Sequence, residues 1–219
     1  TIENLPDLNE TITVPEDIFE ELTAQDASVA GFNPYEQPTV RDLLYGVLLP
    51  SGADACETLA RAVGGSEEGF VAMMNQKAEE LGLTNTHFEN CTGLHNDNHY
   101  STCRDIAVLM SECLKSDTFR EIVTREVYTT EATASHPEGI TLYDTMLHRF
   151  TSYEMSTTLE NGAVIKGGKT GFTDEAGQCL VSFAEYGGEE YILVTAEAMT
   201  DSGSAVDSIA DASTVYGRL

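Results

Sequence analysis

Two apolar stretches near the C-terminus limit the possible folds of this chain most strongly. Residues 178–185 and 190–198 each have the length of a β-strand and contain several β-branched residues, and residues 186–189 separate them with the sequence Tyr-Gly-Gly-Glu. A Gly pair between two such stretches predicts a β-hairpin. Because apolar residues occupy both alternating faces of the first stretch, we expect central strands in a sheet that helices cover on both sides.

The chain before this hairpin has helical periodicity instead. Four amphipathic segments follow one another, with Ser or Thr capping signals before three of them and Gly residues after two. We therefore predict a mostly helical lobe over about 36–125 and a sheet-containing lobe over about 126–219. A short strand is expected at Thr11–Val14, and a further helix that packs on the sheet is expected from about Ala205.

The charge of the chain excludes some classes of partner. The 219 residues carry a formal net charge of -26, with only 11 Lys and Arg residues. Binding to nucleic acid or to anionic lipid needs clustered cations, so we expect neither partner. No apolar stretch has the length of a membrane-spanning helix, and we therefore expect no membrane segment in this chain.

The cysteines and histidines give weak signals for metal or redox chemistry. Five Cys cannot all pair within one chain, and none of them has the close spacing of a zinc or redox motif. His87, His95 and His99 lie in a loop that is rich in Gly and Asn, which favours loop hydrogen bonds over a zinc site. A nucleophilic pair of Cys103 with His99 stays an alternative. We expect no metal and no cofactor.

The sequence Gly-Gly-Lys-Thr-Gly at positions 167–171 admits two interpretations. A phosphate-binding loop needs Gly five residues before its Gly-Lys pair, where this chain has Ala163, and it must lead into a helix. A predicted hairpin follows here instead. The second interpretation is the Lys-Thr-Gly strand motif of penicillin-recognising serine enzymes, which binds the substrate carboxylate.

Ser51 lies in the junction between two predicted helices, and it also has two interpretations. It could cap the helix that follows, or it could supply a reactive hydroxyl. Further motifs stand between Ser51 and Lys169 or just before Ser51, in an order that resembles the serine-type D-alanyl-D-alanine carboxypeptidases, which are low-molecular-mass penicillin-binding proteins. They are Thr39-Val-Arg-Asp-Leu-Leu-Tyr-Gly46, Gly65-Ser-Glu-Glu68, Phe70-Val-Ala-Met-Met-Asn75, Thr86-His-Phe-Glu-Asn90, Thr92-Gly-Leu94 and His99-Tyr-Ser-Thr102.

This resemblance implies an α/β fold of the penicillin-binding and serine β-lactamase type, with an antiparallel sheet flanked by helices and an inserted, mostly helical lobe. It also implies roles for individual residues. Ser51 would relay a proton to the leaving amine, and Lys169 and Thr170, in a motif completed by Gly171, would hold the substrate carboxylate. The backbone N–H of Phe172 would form half of an oxyanion hole.

The implied activity is removal of the terminal D-Ala from peptidoglycan stem peptides that end in D-Ala-D-Ala, through a serine acyl-enzyme that β-lactam antibiotics inhibit. The implied location is extracytoplasmic, in or beyond a bacterial cell envelope, with roles in the cell wall and in cell shape. A serine β-lactamase and a non-catalytic peptidoglycan-binding protein of the same fold stay as alternatives.

The sequence departs from the family pattern in two ways. Ala53 stands where the family commonly has Asn. The sequence also has no Ser-x-x-Lys, because the residues three positions before its four lysines are Met74, Glu112, Ala163 and Lys166. We therefore expect the nucleophile, its base and the first strands of the sheet to lie upstream of Thr1. Residues 1–219 would then be a single incomplete catalytic domain that forms no acyl-enzyme alone.

Overall fold

The computed structural model describes residues 1–198 and 206–219. In these residues the chain forms helices and strands in the following order: α1 (Ile18–Ala24), α2 (Val40–Leu48), α3 (Ala53–Gly64), α4 (Glu67–Glu80), α5 (Cys103–Cys113), α6 (Asp117–Val123), β1 (Val127–Thr129), β2 (Thr141–Tyr143), α7 (Leu147–Ser152), β3 (Val164–Thr173), β4 (Gly177–Tyr186), β5 (Glu189–Ala198) and α8 (Asp207–Tyr216).

The four predicted amphipathic helices are confirmed as α2 to α5, and the capping residues predicted for α2, α4 and α5 begin those helices as expected. Thr39 caps α2, because its hydroxyl accepts a hydrogen bond from the Asp42 N–H at 3.1 Å while the Asp42 carboxylate accepts one from the Thr39 N–H. Ser66 and Thr102 cap α4 and α5 in the same way, because each hydroxyl accepts a hydrogen bond from a backbone N–H in the first turn of its helix. Gly65 ends α3 with a φ of 76°, a conformation that glycine adopts at little cost.

The predicted hairpin is also confirmed. Strands β3, β4 and β5 form an antiparallel sheet in that order, and Tyr186 pairs with Glu189 across the β4–β5 turn. Gly187 and Gly188 both have positive φ, 61° and 87°, as a two-residue hairpin turn requires. Helices cover both faces of this sheet, as predicted. The apolar clusters on the two faces contain Leu180, Ala184, Ile209, Ala212 and Tyr216 on the α8 side and Phe183, Met110, Leu114 and Val123 on the α5 side.

Two sequence-based expectations at the ends of the chain have different outcomes. The expected C-terminal helix exists and begins at Asp207, whereas Ala205 lies outside the described residues. The strand predicted at Thr11–Val14 is wrong in its extent, since Thr11 forms only an isolated bridge with Thr39. Pro38 has no N–H to donate, which prevents a regular ladder on this partner segment.

The chain divides into two compact units, and each consists of two separate stretches. The first contains residues 1–100 and 127–144, and the second contains residues 101–126 and 145–219. These boundaries differ from the predicted lobes of about 36–125 and 126–219, because α5 packs on β4 and β5 and α6 packs on β3. That residues 1–219 form one incomplete domain stays a prediction. Among the described residues, no helix combines the length and the apolar character needed to cross a membrane.

Candidate active site

Four of the predicted site residues lie together on β3, in the second unit. Lys169 pairs with Val181 and Phe172 with Gln178 on β4, while the described part of the chain places no further strand on the other side of β3. The side chain of Phe172 is 65% exposed. An edge strand leaves backbone N–H and C=O groups unpaired, so an extended peptide can add to it by strand pairing.

The Lys169 and Thr170 side chains each have an observed partner within the second unit. Lys169 Nζ donates a hydrogen bond to the Thr170 carbonyl at 2.9 Å, and the Thr170 and Thr145 hydroxyls lie 2.5 Å apart. Both residues are half-buried. Consecutive residues of the strand therefore supply an ammonium group and a hydroxyl, the kinds of group that bind a carboxylate.

The Gly pair before Lys169 is required by close packing. A Cβ atom on Gly167 would lie 2.1 Å from the Val123 carbonyl oxygen, and one on Gly168 would lie 2.4 Å from the Val181 carbonyl oxygen and 2.9 Å from Met146 Sδ. Backbone atoms make the closest of these contacts, so a small shift of a flexible side chain cannot relieve them. The two glycines thus allow β3 to pack directly against Val123, Val181 and Met146.

Ser51 lies in the first unit, in the link between α2 and α3. It is half-buried and has a φ of 62°, in the left-handed region that non-glycine residues seldom adopt. The N-cap residue of α3 is Gly52, and this cap has no side-chain hydrogen bond. The capping interpretation of Ser51 is therefore wrong. The strained backbone instead fits a residue whose position matters for function, because such strain concentrates at functional sites.

Asp54 organises the backbone around Ser51, and sequence reasoning missed it. This fully buried carboxylate accepts hydrogen bonds from the backbone N–H groups of Ala30, Gly31 and Phe32 at 2.7, 2.9 and 3.0 Å. Its partners stand more than 20 positions earlier in the chain, so no local pattern reveals them. The only signal is an Asp among small apolar residues in the first turn of a helix.

Comparison with known proteins decides the family. The sequence profile of the D-alanyl-D-alanine carboxypeptidase family matches residues 4–200. The chain belongs to this family. It is 36% identical over 168 residues to the D-alanyl-D-alanine carboxypeptidase DacF of Bacillus subtilis, covering 76% of the chain and 40% of DacF. It is 35% identical over 191 residues to the D-alanyl-D-alanine carboxypeptidase of Streptomyces sp. strain K15, covering 84% of the chain and 63% of that protein.

A solved structure supports the same family assignment. A mutant of the Streptomyces K15 DD-transpeptidase superimposes with a TM-score of 0.83 and 32% identity, over 97% of this chain and 80% of that one. The fold is therefore the α/β penicillin-binding fold predicted from the sequence. The chain spans 40% and 63% of the length of the two curated relatives.

Other motifs on which the resemblance to the carboxypeptidase family rests hold a loop of the first unit in place. The Asn75 side chain forms two hydrogen bonds with the backbone of Phe88, at 2.8 and 2.9 Å. Asn90 accepts a hydrogen bond from the Gly93 N–H at 2.7 Å. These side-chain hydrogen bonds hold the backbone of the loop in place, which gives Asn75 and Asn90 a structural role.

The histidines of this loop form hydrogen bonds, as predicted. His87 Nε2 lies 3.0 Å from Glu89 Oε1, and His95 Nε2 lies 3.3 Å from Asp97 Oδ1. His99 Nδ1 accepts a hydrogen bond from the Glu89 N–H, and burial lowers the pKa of this imidazole. His99 is thereby held by the loop itself, and the exposed Cys103 stands at the start of α5, in the second unit.

Ala53 and the five cysteines are the remaining residues that the sequence singles out. Ala53, at the position where the sequence resemblance implies Asn, is only 4% exposed, and its N–H donates to the Ser28 carbonyl at 2.8 Å. None of the five cysteines, all within the described residues, forms a disulfide. In the same residues one group of side chains has the geometry to hold a metal ion, and it consists of Glu57, Glu67 and Cys91.

Proposed function

We propose that the protein removes the terminal D-Ala from peptidoglycan stem peptides that end in D-Ala-D-Ala, through a β-lactam-sensitive serine acyl-enzyme. The observation that carries this proposal is the edge strand β3 with adjacent Lys169 and Thr170, in a chain that belongs to the D-alanyl-D-alanine carboxypeptidase family. Both curated relatives described above are named for this activity.

Each β3 residue has a chemical role in this proposal. The substrate ends in a carboxylate, and the Lys169 ammonium and the Thr170 hydroxyl bind it by charge and hydrogen bonding. The peptide lies along the open edge of β3, where the backbone N–H of Phe172 donates to the carbonyl oxygen as negative charge develops on it. The exposure of Phe172 agrees with this role, which needs no particular side chain.

Ser51 acts as the proton relay in the proposed reaction. Its hydroxyl takes up the proton released by the attacking serine and delivers its own to the amine of the departing D-Ala, which without a proton is a poor leaving group. The left-handed backbone at Ser51 and the Asp54 hydrogen bonds behind it support a fixed hydroxyl position. Because Ala53 has no side-chain amide, Lys169 and Thr170 contribute more to orienting the substrate.

The nucleophile is the missing element of the proposed site. No Ser-x-x-Lys occurs in these 219 residues, so a Ser and a Lys from outside this sequence must supply the nucleophile and its base. We therefore expect that residues 1–219 alone are not labelled by a fluorescent penicillin. Covalent labelling of this chain would contradict that expectation.

The activity itself is tested on the complete gene product. We expect release of D-Ala from a stem-peptide analogue, with little turnover of nitrocefin, whereas a serine β-lactamase would turn over nitrocefin and release no D-Ala. Lys169→Ala should reduce kcat/KM for D-Ala release by about a hundredfold or more. Lys166→Ala is the matched control on the same strand, because Lys166 pairs with Glu185 instead. Equal losses in both variants would contradict the role of Lys169.

The absent Ser-x-x-Lys and the Ala53 substitution favour one second candidate, a non-catalytic peptidoglycan-binding protein of the same fold. The two functions differ in one simple observation. Reading the gene upstream of the Thr1 codon should reveal Ser-x-x-Lys for the enzyme, and its absence there would favour the binding protein.

We propose an extracytoplasmic location in a bacterium, where the peptidoglycan substrate lies, and a role in the cell wall and in cell shape. Five cysteines without a disulfide fit a reducing or anaerobic setting. Thiol titration of native and denatured protein should detect five thiols, and detection of two disulfides would contradict the reducing setting.

A further inference from the structure

Three potential metal ligands meet in the first unit, at a place that the proposed reaction does not use. Glu57 lies on α3, Glu67 lies in the first turn of α4, and Cys91 lies in the loop that the Asn residues hold. One ligand atom from each residue lies within 4.8 Å of the other two. A single ion can contact three atoms at such separations if their side chains move slightly, since Zn–S and Zn–O bonds are about 2.0–2.3 Å long.

One carboxylate oxygen of this group has no hydrogen-bond partner. Glu57 is only 7% exposed, and its Oε2 atom is buried without a hydrogen bond. Its other oxygen, Oε1, accepts a 3.5 Å hydrogen bond from Cys91 Sγ, and Glu67 Oε1 accepts a 3.1 Å hydrogen bond from the Cys91 N–H. A buried carboxylate oxygen without a hydrogen bond is costly, so this atom can gain by binding a cation.

Arg61, a cation that contacts Glu57, is shared with another carboxylate. Arg61 Nε lies 3.5 Å from Glu57 Oε2, but Arg61 Nη1 forms a much shorter 2.6 Å ion pair with Asp17. Burial, and then the neighbouring Glu67, raise the pKa of Glu57 to about 7, and burial raises the pKa of the Cys91 thiol. Arg61 therefore neutralises Glu57 only in part.

We propose that Glu57, Glu67 and Cys91 bind one divalent cation of the zinc class. A thiolate ligand selects a borderline metal such as Zn²⁺ or Co²⁺, whereas Mg²⁺ and Ca²⁺ prefer oxygen ligands alone. When the ion binds, a sulfur–metal bond replaces the S–H bond of Cys91 and its proton goes to solvent, with no change of oxidation state. The bound ion ties the loop at Cys91 to α3 and α4. This inference is independent of the proposed peptidase activity.

Cobalt binding tests the site directly, because a cobalt–thiolate bond gives a charge-transfer absorption that carboxylates alone do not give. The protein is reduced, freed of metal with a chelator and titrated with Co²⁺. We expect one Co²⁺ per chain with this absorption, and its loss when Zn²⁺ displaces the cobalt. Cys91→Ser should abolish the absorption. Cys103→Ser should retain it, because Cys103 is exposed at the start of α5 in the second unit.

A second variant keeps the test decisive if Cys91→Ser fails to fold. Glu67 is half-buried at the start of α4, so Glu67→Gln keeps the helix and its shape while removing one charged ligand. We expect its Co²⁺ affinity to fall at least tenfold with an unchanged circular dichroism spectrum. Absence of the charge-transfer absorption at saturating Co²⁺, its survival in Cys91→Ser, or an unchanged affinity in Glu67→Gln would each overturn the proposal.

Discussion

Ser51 and Lys169 are held in place by different kinds of structure. Ser51 stands in an irregular link held by the buried Asp54 side chain, which hydrogen-bonds to a distant segment, and by backbone hydrogen bonds from the Gly52 and Ala53 N–H groups. Lys169 stands on a strand whose position is fixed by ladder register and by two glycines packed against neighbouring backbone. The first position therefore depends strongly on one buried charge, whereas the second depends on the strand ladder and on the absence of two Cβ atoms.

The largest effect should come from the charge that fixes the Ser51 link. Asp54→Asn replaces one accepting oxygen with a donor that faces backbone N–H groups, so we expect a loss of about 3 kcal/mol in the free energy of unfolding. Urea denaturation measures it. The control is Asp97→Asn, at a side chain that is 97% exposed. If both variants unfold at the same urea concentration, the link does not depend on Asp54.

A somewhat smaller loss of stability is expected from Gly168→Ala on β3, and Gly171→Ala on the same strand is its control. Gly168→Ala places a methyl group 2.4 Å from the Val181 carbonyl oxygen, and we expect a loss of about 2 kcal/mol. At Gly171 the nearest atom to an added Cβ is Cys179 Cβ at 3.8 Å, an ordinary contact. Gly171→Ala should therefore unfold at nearly the wild-type midpoint. Equal destabilisation of both variants would refute close packing as the reason for the glycine.

Acid should weaken the hydrogen bonds of a second carboxylate, Glu36, which holds irregular backbone in the first unit. Burial, the largest influence on Glu36, raises its pKa, but hydrogen bonds from Thr133, the Asn33 N–H and His136 outweigh burial and lower it. A lowered pKa means that this stabilisation is complete above the ordinary value of 4.5 and is lost as the pH falls through the folded-state pKa.

Glu36→Gln should accordingly cost about 1–2 kcal/mol at pH 7, because hydrogen bonds to a charged group are lost. Urea midpoints of the variant and the wild type are compared at successive pH values below 7. The gap between them should close as the pH falls below about 4.5. Glu10→Gln, at an exposed residue, serves as the control and should show no such gap. A gap that stays constant down to pH 3 would be evidence against the proposed linkage.

The smallest effect concerns the strain at Ser51 itself. Because glycine adopts a φ of 62° without steric cost, Ser51→Gly should be more stable than Ser51→Ala by about 1 kcal/mol. Both variants lack the hydroxyl, so their difference in thermal or urea unfolding isolates the backbone conformation. Alanine as stable as glycine would indicate that the backbone at this position carries no strain.

The sequence predicts most of the sheet and the helix starts, because their signals are local. A Gly pair between apolar runs specifies the β4–β5 turn, and Thr39 and Asp42 cap a helix from three positions apart. The close approach of Val123 to Gly167 is not predictable in this way, since a long stretch of chain separates the two residues. The Asp54 contacts are hidden for the same reason, as are the three ligands of the proposed metal site.

The division of each unit into two stretches has a consequence during synthesis on the ribosome. Helix α5 emerges long before β4, whose Phe183 covers the apolar face formed by Met110 and Leu114. At roughly 5–20 residues per second, that face is left open for several seconds. The first unit likewise has to retain its partly built form while residues 101–126 are translated, before β1 and β2 complete it. The apolar face of α5 is therefore open to association with other chains until β4 is translated.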